Sequence, residues 1–551
     1  MQQPGDFPAR LQLKLAERRS SWRLQRAAGR VAGKARPKPG QPVVAFFNAS
    51  TRLTGLSLNA AFSFLAASGL QLAGLPVVNF ACHSGMYPCV LGTNRDDYTQ
   101  PPPCPGCIAQ AERVFSHAPT RWFQYREDPA LAMELQDLSL EQLGALEYSL
   151  PGLGGNAAAI PLGRLVIASL RWALRMHNLP DDEPTRLLLR RYLLSASSVA
   201  GEFASFLDQA EPSTAVIFNG IMYPEAAARW VAQQSGVRVV THEVGFRPFS
   251  AFFTDGQATA YPIHIPAGFD LSPEQDARLD AYLGERFQGE FTMAGIRFWP
   301  EMHGLDEAFL RRVEGFTQIV PVFTNVVYDT SQVHANAVFP HMFAWLDLVL
   351  DLIRAHPETL FVIRAHPDEM RPGTGKQSRE SVKAWVERNR VAELHNVIFI
   401  DSQEYLSSYE LVQRAKFVMV YNSSIGLEAA LLGKPVLCGG KARFTQYPIV
   451  FFPGTPEAYR CQAEDFLAPD RPVEIPPEFV RNARRFLYYQ LFRASLPFDD
   501  FLELHPRPGF VQLRPFSLEQ LAPERSPTIR ALVDGLLHGK PFLLEEEAQG
   551  G

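Results

Sequence analysis

Six cysteines in 551 residues leave little material for a disulfide framework, and four of them crowd into residues 82–107. No run reaches the roughly eighteen uninterrupted apolar residues that a membrane span needs, and the first residues lack the apolar core of a signal peptide. The chain is therefore expected in the cytoplasm, with its cysteines as reduced thiols or metal ligands. A net charge of −5, with no interleaving of basic and aromatic residues, argues against nucleic acid as a partner. What is present, 46% hydrophobic and 20% charged residues, describes a folded protein too long for a single core.

Charge is uneven. Residues 10–38 (RLQLKLAERRSSWRLQRAAGRVAGKARPK) hold many Lys and Arg but only Glu17 as an acid, with Leu11, Leu15, Trp22, Leu24 and Val31 interleaved. The spacing predicts an amphipathic basic helix with Trp22 on its apolar side, suited to an anionic membrane surface; the plainer alternative is a solvated extension. The Pro- and Gly-rich stretch 37–42 ends this arm, which is taken as residues 1–40.

After the arm, short continuous apolar runs alternate with helical spacing. Residues 43–48 read as a strand, 58–74 as a helix and 76–81 as a second strand. A mainly helical middle follows, including residues 162–176 and 186–207, before strand 214–218, helix 225–235 and strand 237–241. The pattern restarts with strands at 318–325, 360–365, 397–401, 417–421 and 435–438, and helices at 342–354, 379–390, 409–415 and 425–432. This is an α/β chain with two parallel sheets covered on both faces. The expected units are an N-terminal domain over 41–290 with a Cys-rich insertion at 82–107, a C-terminal domain over 291–475, and a terminal segment, 476–551. In the last, residues 479–494 read as a helix crossing back to the first domain, and the acidic end 545–547 as disordered. The domain boundary falls near residues 285–315. Ligands of open parallel sheets bind beyond the carboxyl ends of the strands, so two facing sheets make a cleft.

The tetrapeptide Arg-Ala-His-Pro occurs twice, ten residues apart. The first copy ends a helix, where His356 suits the negative dipole end and Pro357 stops the turn. The second leaves a strand at its carboxyl end, placing Arg364 and His366 where a ligand would sit, with Asp368, Glu369 and Arg371 nearby and Pro367 stiffening the turn. A second signal is YNSSIGLE at 421–428, a strand, polar turn and helix. Asn422 or Ser423 can cap the helix, and the N–H groups around Ser424, Ile425 and Gly426 can hold an anion. Glu428, one turn in, can accept ribose hydroxyls. Two anion sites on neighbouring strand ends fit a nucleotide phosphate.

RAHPDE (364–369) and NSSIGLEAALLGKPV (422–436), with VFTNVVYDTS (322–331), resemble the capsule polysaccharide biosynthesis proteins, GT-B glycosyltransferases related to bacterial Kdo transferases. The His-Pro and Ser-Ser motifs are also similar to those of bacterial sialyltransferases using CMP-sugars. The resemblance is firm over about residues 315–440 and looser over 43–256, where FNG (218–220) and HEVG (242–245) fit the acceptor side. It implies a nucleotide-sugar donor held by Arg364, His366, Asn422, Ser423, Ser424 and Gly426, with Thr324 and Asn325 beside them and Glu428 on the ribose. It also implies a glycan or glycolipid acceptor, deprotonated in an inverting transfer by Glu243 or His242, with Asp96 and Asp97 in reserve. With His366, Arg364 and a helix N-terminus on the leaving phosphate, no catalytic metal is needed. A polyol-phosphate transferase of the teichoic-acid type and a noncatalytic polysaccharide export or scaffold component are the rival readings.

The stretch CHSGMYPCVLGTNRDDYTQPPPCPGC departs from that family. Cys82, Cys89, Cys104 and Cys107 include one Cys-x-x-Cys pair, and His83 can replace one ligand. A structural zinc or an iron–sulfur cluster stands against four free buried thiols.

Overall fold

The computed structural model describes residues 7–49, 55–150, 159–287, 292–293, 296–297, 303–372 and 377–546. Twelve strands build two sheets. The first sheet uses β1 (Val44–Asn48), β2 (Val77–Cys82), β3 (Thr120–Phe123), β4 (Thr214–Phe218), β5 (Arg238–Val244) and β6 (Ser250–Thr254). The second uses β7 (Gln318–Phe323), β8 (Thr359–Arg364), β9 (Val397–Ile400), β10 (Val418–Val420) and β11 (Val436–Cys438). A last short strand, β12 (Leu496–Pro497), returns to the first sheet.

Strand order in the first sheet is β12-β6-β5-β4-β1-β2-β3, and in the second β9-β8-β7-β10-β11. The second is parallel throughout. The first is parallel from β5 to β3, but β6 and β12 run antiparallel at its edge. Continuous burial explains the apolar runs: every residue of β1 and of β8 is buried, as expected for strands covered by helices on both faces. In each sheet the strand order reverses beside the first strand, between β1 and β4 and between β7 and β10. Those reversals open crevices at the carboxyl ends, where loops diverge to opposite faces.

The chain crosses back after the second sheet. Helix Pro477–Tyr488 continues into a π-helical turn, Tyr489–Arg493, before β12 pairs with β6. Ala483 and Phe486 of this helix share an apolar cluster with Phe246 and Phe252 on one side and Val420 and Phe444 on the other, so both sheets rest on it. The predicted N-terminal arm is not a loose extension. Helix Phe7–Lys34 seats Leu24, Ala28 and Val31 on the first unit and leaves Leu11, Leu15 and Trp22 about half exposed. The acidic end is likewise not loose as far as it is described: Glu545 faces Arg530 at 3.5 Å and Glu546 faces Arg493 at 2.5 Å. Glu547, and the expected boundary between residues 290 and 291, lie outside the described residues.

Candidate active site

A cavity of about 1860 Å³ lies where the carboxyl ends of the two sheets meet. It exceeds the ~300–1,000 Å³ of a pocket for one small ligand. Asn48, Asn219 and Glu243 reach it from the first sheet, and Thr324, Arg364, His366, Asn422 and Ser423 from the second.

On the second-sheet side, Arg364 ends β8 and is 3% exposed. Its Nη1 donates to the Glu404 carbonyl at 3.4 Å, while Nη2 is buried without a partner among the described residues. Burial lowers its pKa to about 10, so it stays cationic at neutral pH. A buried guanidinium N–H without an acceptor is costly, and an anion in the cavity removes that cost. Two residues on, the Asp368 N–H donates to His366 Nδ1 at 3.1 Å, which puts the ring proton on Nε2. Burial is the main influence on this imidazole and lowers its pKa, leaving it neutral. Asp368 in turn pairs with Arg371 at 2.6 Å.

The YNSSIGLE turn differs from its sequence reading in three ways. Ser424, not Asn422 or Ser423, is the N-cap of helix Ile425–Leu431, and no side chain caps it. Asn422 cannot do so because its Oδ1 accepts from Asn325 Nδ2 at 2.7 Å and Gln332 Nε2 at 3.2 Å, a clamp between the ends of β10 and β7. Gly426 does not line the cavity. A Cβ there would stand 2.9 Å from Phe444 Cζ and 3.0 Å from Val420 Cγ2, so the glycine allows close helix–strand packing. Glu428 does line the cavity, but its carboxylate is already ion-paired with Arg286 and accepts the Tyr409 hydroxyl at 2.6 Å. A ribose hydroxyl would meet this set rather than a free carboxylate. Ser423 and Ser424 line the cavity; the Thr324 hydroxyl is spent on the Arg364 carbonyl at 3.0 Å.

On the first-sheet side, the strand's period of two separates His242 from Glu243. His242 turns away from the cleft into the sheet's other face, stacked on Phe253 at 5.1 Å, and burial lowers its pKa to about 3. It is therefore a neutral packing residue and not a base. Glu243 faces the cavity, where the Asn219 Nδ2 donates to Oε2 at 2.7 Å and the Val244 N–H to Oε1 at 2.9 Å. Burial outweighs these bonds and lifts its pKa to about 7. Asn219, in left-handed conformation at φ 60, turns the FNG segment so that its amide can reach that carboxylate. The reserve carboxylates fail on position: Asp96 pairs with Arg379 at 2.7 Å outside the cleft, and Asp97 caps its own turn at Thr99.

Asp329, which also lines the cavity, lies within electrostatic reach of both Glu243 and His366. It was overlooked although it sits inside the VFTNVVYDTS motif. Arg443, lying 4.2 Å over the Phe246 ring with its Nε unpartnered among the described residues, was missed too, as was Arg286. No local pattern marks Arg286, because its partner Glu428 is 142 residues away.

Two Rossmann-like units facing a shared cleft define a GT-B fold, with Arg364 and His366 on one wall and Glu243 on the other. Residues 310–449 match the model of the capsule polysaccharide biosynthesis protein family. Among solved structures, the chain is similar to a β-Kdo 2,4 transferase, KpsC of Thermosulfurimonas dismutans, at 12% identity and a TM-score of 0.33, over 56% of this chain and 87% of that one. The same organism's KpsC β-Kdo 2,7 transferase gives 14% and 0.31, over 62% and 89%. The UDP-GlcNAc 2-epimerase of Neisseria meningitidis, bound to UDP-GlcNAc, gives 12% and 0.23, over 81% and 98%. The comparison with curated proteins yields no match.

Proposed function

We propose that this chain is a glycosyltransferase of capsule or other surface polysaccharide synthesis, moving a sugar from a nucleotide-activated donor, of CMP-Kdo type in the first instance, to a glycan or lipid-linked acceptor. The observation that carries this reading is that Glu243 and His366, from different sheets, line one cavity and both feel Asp329. Ionised Glu243 takes the proton of the acceptor hydroxyl, whose oxygen attacks the anomeric carbon from the face opposite the phosphate. The glycosidic C–O bond breaks, and its electron pair leaves on the phosphate with inversion at carbon. Arg364 and the Nε2–H of His366 meet that developing charge, a role a divalent cation fills in other enzymes, so transfer is expected to persist in EDTA. A thermal-shift series with CMP, CDP, UDP and GDP tests the donor side. At least one is expected to raise Tm by several degrees at 100 times its Kd, equivalent to about 2.7 kcal/mol. Absence of any shift would favour a noncatalytic component, and transfer of glycerol phosphate from CDP-glycerol to an acceptor with release of CMP would favour the phosphotransferase.

The N-terminal helix supports a site of action at the inner face of the cytoplasmic membrane. No helix among the described residues is long and apolar enough to cross a membrane. Leu11, Leu15 and Trp22 are 49%, 55% and 55% exposed and share one face at helical spacing, opposite the buried Leu24 and Ala28. Exposed Lys14, Arg18, Arg19 and Arg26 flank them, and Arg26 lies 5.1 Å over the Trp22 ring. Apolar anchors ringed by cations suit an anionic bilayer surface. The full chain is expected to sediment with phosphatidylglycerol vesicles and not with phosphatidylcholine ones. Leu15→Glu with Trp22→Glu should weaken this at least tenfold, since each buried side chain is worth about 1.5–3 kcal/mol. Equal binding by the double variant would remove the helix from that role.

A further inference from the structure

Outside the cleft, Cys82, Cys89, Cys104 and Cys107 line one small cavity of about 20 Å³. The four thiols are presented by three turns of two kinds. Cys82 and Cys89 each open a Cys-x-x-Gly turn, in which the Gly85 N–H donates to Cys82 Sγ at 3.3 Å and the Gly92 N–H to Cys89 Sγ at 3.1 Å. Gly92 is required by space, because a Cβ there would stand 2.9 Å from Cys89 Sγ and 2.6 Å from Pro102 Cβ. Cys104 and Cys107 occupy the first turn of helix Cys104–Phe115, whose dipole favours a thiolate. Backbone N–H groups aimed at sulfur, together with a helix N-terminus, suit sulfurs that carry charge.

We propose that these four cysteines bind a single structural Zn²⁺ ion as a tetrathiolate. The cavity decides between the two metal groups the spacing allows. Its volume matches about one water-sized sphere, enough for one ion and far too little for a four-iron cluster with its sulfides. Zn–S bonds of about 2.3 Å place tetrahedral sulfurs about 3.8 Å apart. Among the described residues no three His, Cys, Asp or Glu side chains stand in a ready-made ligating geometry. Binding requires the four sulfurs to close on the void that they line. Four S–H bonds lose their protons to solvent and four Zn–S bonds form, with no change of oxidation state. His83 is not needed as a ligand; its ring sits beside Trp122 and 3.4 Å from Gln124 Nε2. Cys89, Ala49 and Met86 line both this cavity and the main one, so the ion would brace the acceptor wall of the cleft.

The test is elemental analysis of the full chain purified under reducing conditions without added metal. The expected result is about one zinc per chain, unchanged in Cys461→Ser and lost in Cys104→Ser with Cys107→Ser. Because serine variants can fail to fold, the wild-type chain is also stripped with a chelator and reloaded. One equivalent of Zn²⁺ should restore a Tm lowered by several degrees, and Co²⁺ should give the thiolate-to-cobalt charge-transfer band of a tetrahedral sulfur site. Iron with acid-labile sulfide in place of zinc overturns the single-ion assignment. A metal-free wild-type chain that gives no cobalt band overturns the site altogether.

Discussion

Replacement of His366 by alanine is expected to lower kcat for sugar transfer by about 10²–10³ while leaving the fold intact, whereas His356→Gln leaves kcat within about twofold. The two histidines share the same four-residue word, so the contrast isolates position from sequence. His366 lines the cavity, burial lowers its pKa, and its Nδ1 accepts the Asp368 N–H, so the ring proton is carried on Nε2, the proposed donor to charge developing on the leaving phosphate. Loss of one such donor in a water-poor site costs about 2.7–4 kcal/mol of transition-state stabilisation. The structural cost is smaller, near the roughly 1 kcal/mol of a single hydrogen bond from the Asp368 amide. His356, by contrast, ends helix Met342–Ala355 and binds Glu464 at 2.7 Å and Glu358 at 3.2 Å, away from the cleft. Such part-exposed polar contacts contribute about 0–1 kcal/mol. Single-turnover rates at saturating donor, with circular dichroism as the fold control, check the pair. Equal loss of activity in both variants would remove His366 from the phosphate site.

The difference between these two histidines was legible because a strand announces its carboxyl end: residues 360–363 are continuously apolar up to Arg364, and ligands gather where such runs stop. The same rule led to Glu243, but it could not choose between Glu243 and His242. One residue of register moves a side chain from one face of a sheet to the other, and only the pairing of β5 with β6, His242 opposite Phe253 and Glu243 opposite Phe252, fixes which face is which. Neither β6 nor β12 was read from the sequence. β12 is a two-residue edge strand whose partner lies far back in the chain, and β6 sits between it and β5 as the antiparallel return of a short hairpin. Glu428 shows the same limit. Its position one turn into the helix is local, yet Arg286 and Tyr409, which occupy its carboxylate, come from other elements. Helical spacing found the N-terminal helix, and tertiary packing then divided its apolar residues between a buried face and an exposed one.

Glu243→Gln is expected to reduce kcat by about 10²–10⁴, the usual contribution of a positioned general base, and to abolish one limb of the pH profile. The limb follows from burial, which lifts the Glu243 pKa to about 7 against an ordinary 4.5. A base must be ionised, so wild-type activity should rise with pH through about 7 and then level, while the glutamine variant stays low and flat across that range. Stability runs the other way. Between about 4.5 and 7 the folded protein holds a proton on Glu243 that the unfolded chain has released, so folding loses ground as pH rises through that window. Relative to the glutamine variant, the wild-type Tm should match at pH 4, fall behind as pH climbs, and hold a constant deficit above pH 7. A purely structural carboxylate would show the Tm divergence without the kinetic limb. Retention of both the rate and its pH dependence in the glutamine variant would move the base elsewhere in the cleft, with Asp329 the next carboxylate to replace.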